Sequence, residues 1–97
     1  MLRITGVDLS NTSFENDFKS LPDEVRASAT QRIALLMSNP KAGALRLHKL
    51  DGYRPGIFTI DLESGKGQRY KAAFRLDGSV AYFLRADTHK KIDRYFP

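Results

Sequence analysis

The sequence contains no cysteine, which excludes disulfides, thiolate metal sites and cysteine nucleophiles together and favours a cytoplasmic setting. No apolar run approaches the roughly 20 residues that cross a bilayer. The first residues, Met1-Leu2-Arg3-Ile4-Thr5-Gly6-Val7-Asp8, lack the apolar stretch of a secretory signal, so neither membrane insertion nor export by that route is expected. Internal repeats, low-complexity tracts and linkers rich in Pro, Gly and Ser are also missing, and residues 1–97 read as one domain. Two histidines without a His-x-x-x-His or His-Glu-x-x-His pair fall short of a metal ligand set, so neither a metal nor a small-molecule cofactor is expected. Ser64-Gly65-Lys66-Gly67 separates two strand-like runs and does not open a helix, which makes it a turn and not a phosphate loop.

What the chain does have is apolar material for a core, at 41% hydrophobic residues with six Phe and four Tyr, and a net charge of +5. The charge is uneven. Residues 1–40 carry four Lys/Arg against five acids, whereas residues 41–97 carry twelve against six. A polyanionic partner meeting the C-terminal half is one reading, with nucleic acid first among candidates; simple solubility is the other.

Periodicity divides the chain in the same place. Thr12-x-x-Glu15 has capping-box spacing, and Phe14, Phe18 and Leu21 share one helical face. Ser20-x-x-Asp23 with Pro22 starts a second helix, whose stripe of Val25, Ala29, Ile33, Leu36 and Met37 must stop at Asn39-Pro40. Beyond Gly43 the period changes to that of strands, over 45–50, 57–62, 69–76 and 80–86. Short separators make these antiparallel hairpins, with Asp77-Gly78 as a two-residue turn. With a short first strand in residues 1–5, the expectation is an α+β fold: a two-helix hairpin on one face of a mainly antiparallel sheet of four to five strands, closed by a short C-terminal helical turn.

Alternation along 69–76 points Tyr70, Ala72, Phe74 and Leu76 to the core and Arg69, Lys71, Ala73 and Arg75 to the opposite, solvent-facing side. In 80–86 the same reading sends Val80, Tyr82 and Leu84 inward and leaves Ala81, Phe83 and Arg85 beside the cations. The uncovered face is then basic with an aromatic ring in it.

Two histidines lie among these cations, in Arg46-Leu47-His48-Lys49 and in Arg85-Ala86-Asp87-Thr88-His89-Lys90-Lys91. RNA is cut without a metal when a base takes the proton of its 2′-OH, cations stabilise the phosphorane and an acid protonates the leaving 5′ oxygen. Histidine suits either proton-transfer role, so His48 and His89 with Lys71 and Arg85 form a sufficient set if they converge. Each also has a plainer reading. An isolated strand histidine is more often a solvated surface residue, Lys71 and Arg85 suit an exposed sheet, and Asp87 or Thr88 suits the N-cap of a final turn through Tyr95.

The order and spacing of Asn39-Pro40, Leu47-His48-Lys49-Leu50-Asp51-Gly52, the run from Tyr70 to Gly78 and Thr88-His89 resemble the RelE/ParE superfamily of bacterial toxins, over about Phe14 to Tyr95. The resemblance implies a toxin neutralised by a cognate acidic antitoxin. Its RelE branch implies metal-independent cleavage of mRNA on the ribosome, with His48, Lys71, Arg85 and His89 in the catalytic positions. Arg46, Lys49, Arg54, Arg69, Arg75, Lys90 and Tyr95 would then contact RNA. Lys71 stands where the family usually has an arginine, and Asp93 where many relatives have Tyr or Phe. The ParE branch, which poisons DNA gyrase by protein contact, and a relative that only binds antitoxin or RNA are the alternatives.

Overall fold

A computed structural model describes residues 3–50, 56–63 and 67–96. The elements run β1 (Gly6–Asp8), α1 (Thr12–Ser20), α2 (Asp23–Ser38), a 3-10 turn (Gly43–Leu45), β2 (His48–Lys49), β3 (Ile57–Asp61), β4 (Tyr70–Asp77), β5 (Val80–Thr88) and α3 (His89–Tyr95). Among the described residues the strands form one sheet in the order β1-β5-β4-β3-β2, antiparallel except for the β1/β5 pair. The α+β architecture is the one expected. The first strand is Gly6–Asp8, later than the stretch at residues 1–5, of which Met1 and Leu2 lie outside the described residues. Residues 51–55, with Arg54, and 64–66 also lie outside them.

Local signals explain most boundaries. Asn11, not Thr12, caps α1 by accepting the Phe14 N–H, and α2 begins after Pro22 with no side-chain cap. Thr88 caps α3 by accepting the Lys91 N–H, settling the choice between Asp87 and Thr88. The β4/β5 turn differs from expectation. Asp77 pairs with Val80, so the two turn residues are Gly78 and Ser79, and Gly78 takes the positive φ of 62° that a side chain would strain.

The main core lies between the helices and one sheet face. It joins Phe14, Leu21, Val25, Ala29, Ile33 and Leu36 to Ile60, Leu62, Tyr70, Ala72 and Phe74. Met37, expected in the helical stripe, is exposed. Strand β5 is inverted relative to the sequence reading: Ala81 and Phe83 face this core, and Tyr82 and Leu84 face away. Residues paired across a ladder share a face, and Phe83 pairs with Phe74, their rings 5.1 Å apart. Pairing then jumps to Ala73 with Arg85, which leaves Leu84 as an extra, bulged residue and returns Ala86 to the core side.

The second face is not simply cationic. Helix α3 folds back over it, and Ile92 is buried with Ile57 and Ala73, flanked by Leu50, Leu84, Tyr95 and Phe96. Phe83→Ala should therefore cost about 3–5 kcal/mol in denaturant unfolding, the range for removing a buried aromatic ring, and Tyr82→Ala clearly less. Equal losses would contradict the assignment of faces.

Candidate functional site

The face that carries α3 also carries most of the charged residues singled out by sequence. At its centre is Asp61, the last residue of β3, paired across the sheet with Lys71 of β4. Three cations stand around its carboxylate: Arg46 Nη1 at 3.7 Å, Arg69 Nη2 at 3.6 Å and Lys71 Nζ at 3.7 Å. Lys71 is buried, at 6% exposure, which corrects the expectation that it faces solvent. Its strand neighbours explain this, since it lies between Asp61 on β3 and Asp87 on β5. A buried ammonium needs such a counter-charge.

His48 sits beside this cluster. It pairs with Thr59, two residues before Asp61 and on the same face. The Arg46 carbonyl lies 3.1 Å from His48 Nδ1 and can only accept, so Nδ1 carries a proton and the neutral ring has its lone pair on Nε2. The hydroxyl of Thr59, a fully buried residue, lies 3.3 Å from that Nε2. Arg46 supplies the carbonyl from a left-handed backbone conformation, φ 45° and ψ 43°, unusual for a residue with a side chain. One strained residue thus fixes the His48 tautomer and directs a guanidinium to Asp61.

His89 begins α3, and its backbone N–H donates to the Arg69 carbonyl at 2.9 Å. Nε2 faces the Asp93 carboxylate at 3.4 Å, an i,i+4 pair, and the buried Nδ1 has no partner among the described residues. Arg69 joins the two halves of the site. It lines a cleft of about 300 Å³ with Gly67, Gln68, Thr88, His89 and Lys90, and another of about 300 Å³ with Arg32, Arg46, Asp61, Glu63 and Tyr70.

Arg85 has a different task from the one expected. Its Nε and Nη2 donate to the two oxygens of Asp17 on α1, at 2.7 and 3.2 Å, and the same carboxylate accepts the Ala86 N–H on the edge of β5 beyond β1. Its guanidinium stacks on the Tyr95 ring 3.8 Å from the centroid, and the Tyr95 hydroxyl donates to Asp87 at 3.0 Å. The hydrogen bond that Arg85 donates to Asp17 raises the guanidinium's already high pKa. Burial, then the hydrogen bond to Asp87, raises that of Tyr95. Arg85 and Tyr95 are accordingly tied into a clamp between α1, β5 and α3. Arg75 lies over Tyr82 and near Asp77, and the exposed Lys49 pairs with Phe58 on the helix-side face. The sequence reading missed Asp61, Thr59 and Asp17; the available signal was that Asp61 ends a strand directly opposite the basic run at 69–71.

No family model and no curated protein matches the chain. Among solved structures, the RelB-RelE antitoxin-toxin complex from Methanococcus jannaschii is similar at 23% identity, covering 89% of this chain and 95% of that one, with TM-score 0.63. YafQ from E. coli strain BL21(DE3) is 17% identical over 95% of this chain and 98% of its own, with TM-score 0.64. The toxin in the E. coli DinJ-YafQ toxin-antitoxin complex gives the same identity and coverage with TM-score 0.63.

Two measurements test the local geometry. Arg46→Gly and Arg46→Ala lose the same charge, but only glycine relieves the left-handed conformation, so the Gly variant should be more stable than the Ala variant by about 1 kcal/mol; equal stability would contradict the strain. Because folding raises the Tyr95 pKa from its ordinary value near 10, that tyrosine's contribution is present below about pH 10 and lost as pH climbs through the folded value. Alkaline unfolding of Tyr95→Phe should show a correspondingly shallower decline. The nearly full-length overlap at modest identity establishes that this chain has the fold of the RelE and YafQ toxins.

Proposed function

We propose that the chain is the toxin of a toxin–antitoxin pair and cleaves mRNA on the ribosome, using the RNA's own 2′-OH as nucleophile. The observation that carries this reading is the grouping of Arg46, Arg69 and Lys71 on Asp61, with His48 beside them and His89 anchored to Arg69. A phosphodiester seated on these cations has its anionic oxygens neutralised as the phosphorane forms. His48 Nε2 takes the 2′-OH proton, the 2′ oxygen bonds to phosphorus, and the bond to the 5′ oxygen breaks. His89, acting as an imidazolium with Asp93 3.4 Å from its Nε2, gives a proton to that 5′ oxygen and is left as the neutral imidazole. The products are a 2′,3′-cyclic phosphate and a 5′-hydroxyl. Lys90 lines the His89 cleft and extends the basic track, while Arg85 braces α3 on the same face instead of touching phosphate.

A cytoplasmic antitoxin is the expected protein partner. The solved complexes of RelE with RelB and of YafQ with DinJ support this, and the basic C-terminal half suits an acidic segment. Co-expression with the adjacent small reading frame should yield a stable complex.

The chemistry is tested on mRNA-programmed ribosomes under single-turnover conditions. His48→Ala and His89→Ala should each slow cleavage by about 10²- to 10⁴-fold, the range for a positioned proton-transfer group, with unfolding midpoints close to wild type. Growth arrest that survives both substitutions together would move the assignment to a poison acting by protein contact, of the gyrase-directed kind.

A further inference from the structure

We infer that Asp61 is an internal stand-in for a phosphate: it holds Arg46, Arg69 and Lys71 around an anion site, and an RNA phosphate takes those cations over on binding. The inference rests on the reading that this face binds RNA, and it assigns a role to a carboxylate that the cleavage chemistry does not use.

The protein contains its own standard for comparison. Asp17 is fully committed: two hydrogen bonds from Arg85 at 2.7 and 3.2 Å and one from the Ala86 N–H at 3.0 Å. Asp61 has three cations and no such bond from any of them, all three standing at 3.6–3.7 Å, beyond the 2.7–2.9 Å of a charge-assisted hydrogen bond. Its Oδ1 is buried with no hydrogen-bond partner among the described residues. Folded proteins seldom leave a buried carboxylate oxygen in that condition without a reason.

Exposure differs among the three cations in the way an exchangeable site needs. The Lys71 side chain is 8% exposed, whereas those of Arg46 and Arg69 are 68% and 58% exposed and open to an incoming ligand. With Asp87 beside Lys71 on β5 counted, three positive charges face two carboxylates and leave one in excess, enough for a phosphodiester. Arginine's fork can engage phosphate oxygens bidentately, a geometry that the 3.6–3.7 Å contacts to Asp61 leave unused. Asp61 thus gathers the donors, keeps the buried ammonium company in the resting protein, and competes with the incoming anion.

The test measures binding, separately from cleavage. A fluorescent single-stranded RNA oligonucleotide is titrated into the full chain and into Asp61→Asn at several salt concentrations. The variant should bind about 3- to 10-fold tighter, with a salt slope steeper by about 0.7, corresponding to one further phosphate neutralised. Equal or weaker binding by a folded variant would overturn the role and leave Asp61 as a structural partner of Lys71. Should Asp61→Asn fail to fold, Lys71→Met and Lys71→Met/Asp61→Asn are compared, and the double variant must bind tighter. Inorganic phosphate, followed through the backbone amide signals of Arg69 and Lys71, separates this inference from the RNA reading. Tighter phosphate binding by the variant without RNA binding by either protein would keep the stand-in role and sink the RNA assignment, whereas no tightening for either anion would sink the role itself.

Discussion

Strand β4 is the constraint on which the rest depends. It is paired along its length by β5 on one side and from Lys71 to Arg75 by β3 on the other, so its two faces dictate what each neighbour shows. One face sets Tyr70, Ala72 and Phe74 into the main core. The other sets Lys71 between Asp61 and Asp87, with Ala73 under the small apolar cluster that seats α3. A single eight-residue strand therefore fixes the hydrophobic core and the charged site together, and a slip of one residue would exchange them.

This coupling accounts for the division of labour among the basic residues. Arg85, on the edge beyond β1, is consumed in holding α1, β5 and α3 together through Asp17, Tyr95 and Asp87. The cations around Asp61 are held at longer range and two of them keep much of their surface in solvent. Close and long ion pairs thus coexist on one sheet face: 2.7 Å for Arg85 with Asp17 and 3.6–3.7 Å for the cations around Asp61.

Element order, the helical hairpin and the mainly antiparallel sheet were legible because each rests on local periodicity and turn chemistry. The faces of β5 were not. Its alternating positions are apolar on both sides, and the Leu84 bulge cannot be read from a strand whose partner register is unknown. The burial of Lys71 was hidden for a related reason, because a strand lysine reads as solvated until the acids beside it are placed. Asp61 escaped notice since an acid inside a basic pattern looks like dilution of the charge, whereas in three dimensions it is the point on which the charge converges.

Cleavage on this face is proposed to run by attack of the substrate's own 2′-OH on the adjacent phosphorus. The most direct measurement places a single 2′-O-methyl nucleotide immediately 5′ to the scissile bond in an mRNA on programmed ribosomes and follows cleavage at that bond. The prediction is that cleavage there ceases while the unmodified message yields 2′,3′-cyclic phosphate ends. Undiminished cleavage at the blocked position, or products ending in 3′-hydroxyl, would contradict it.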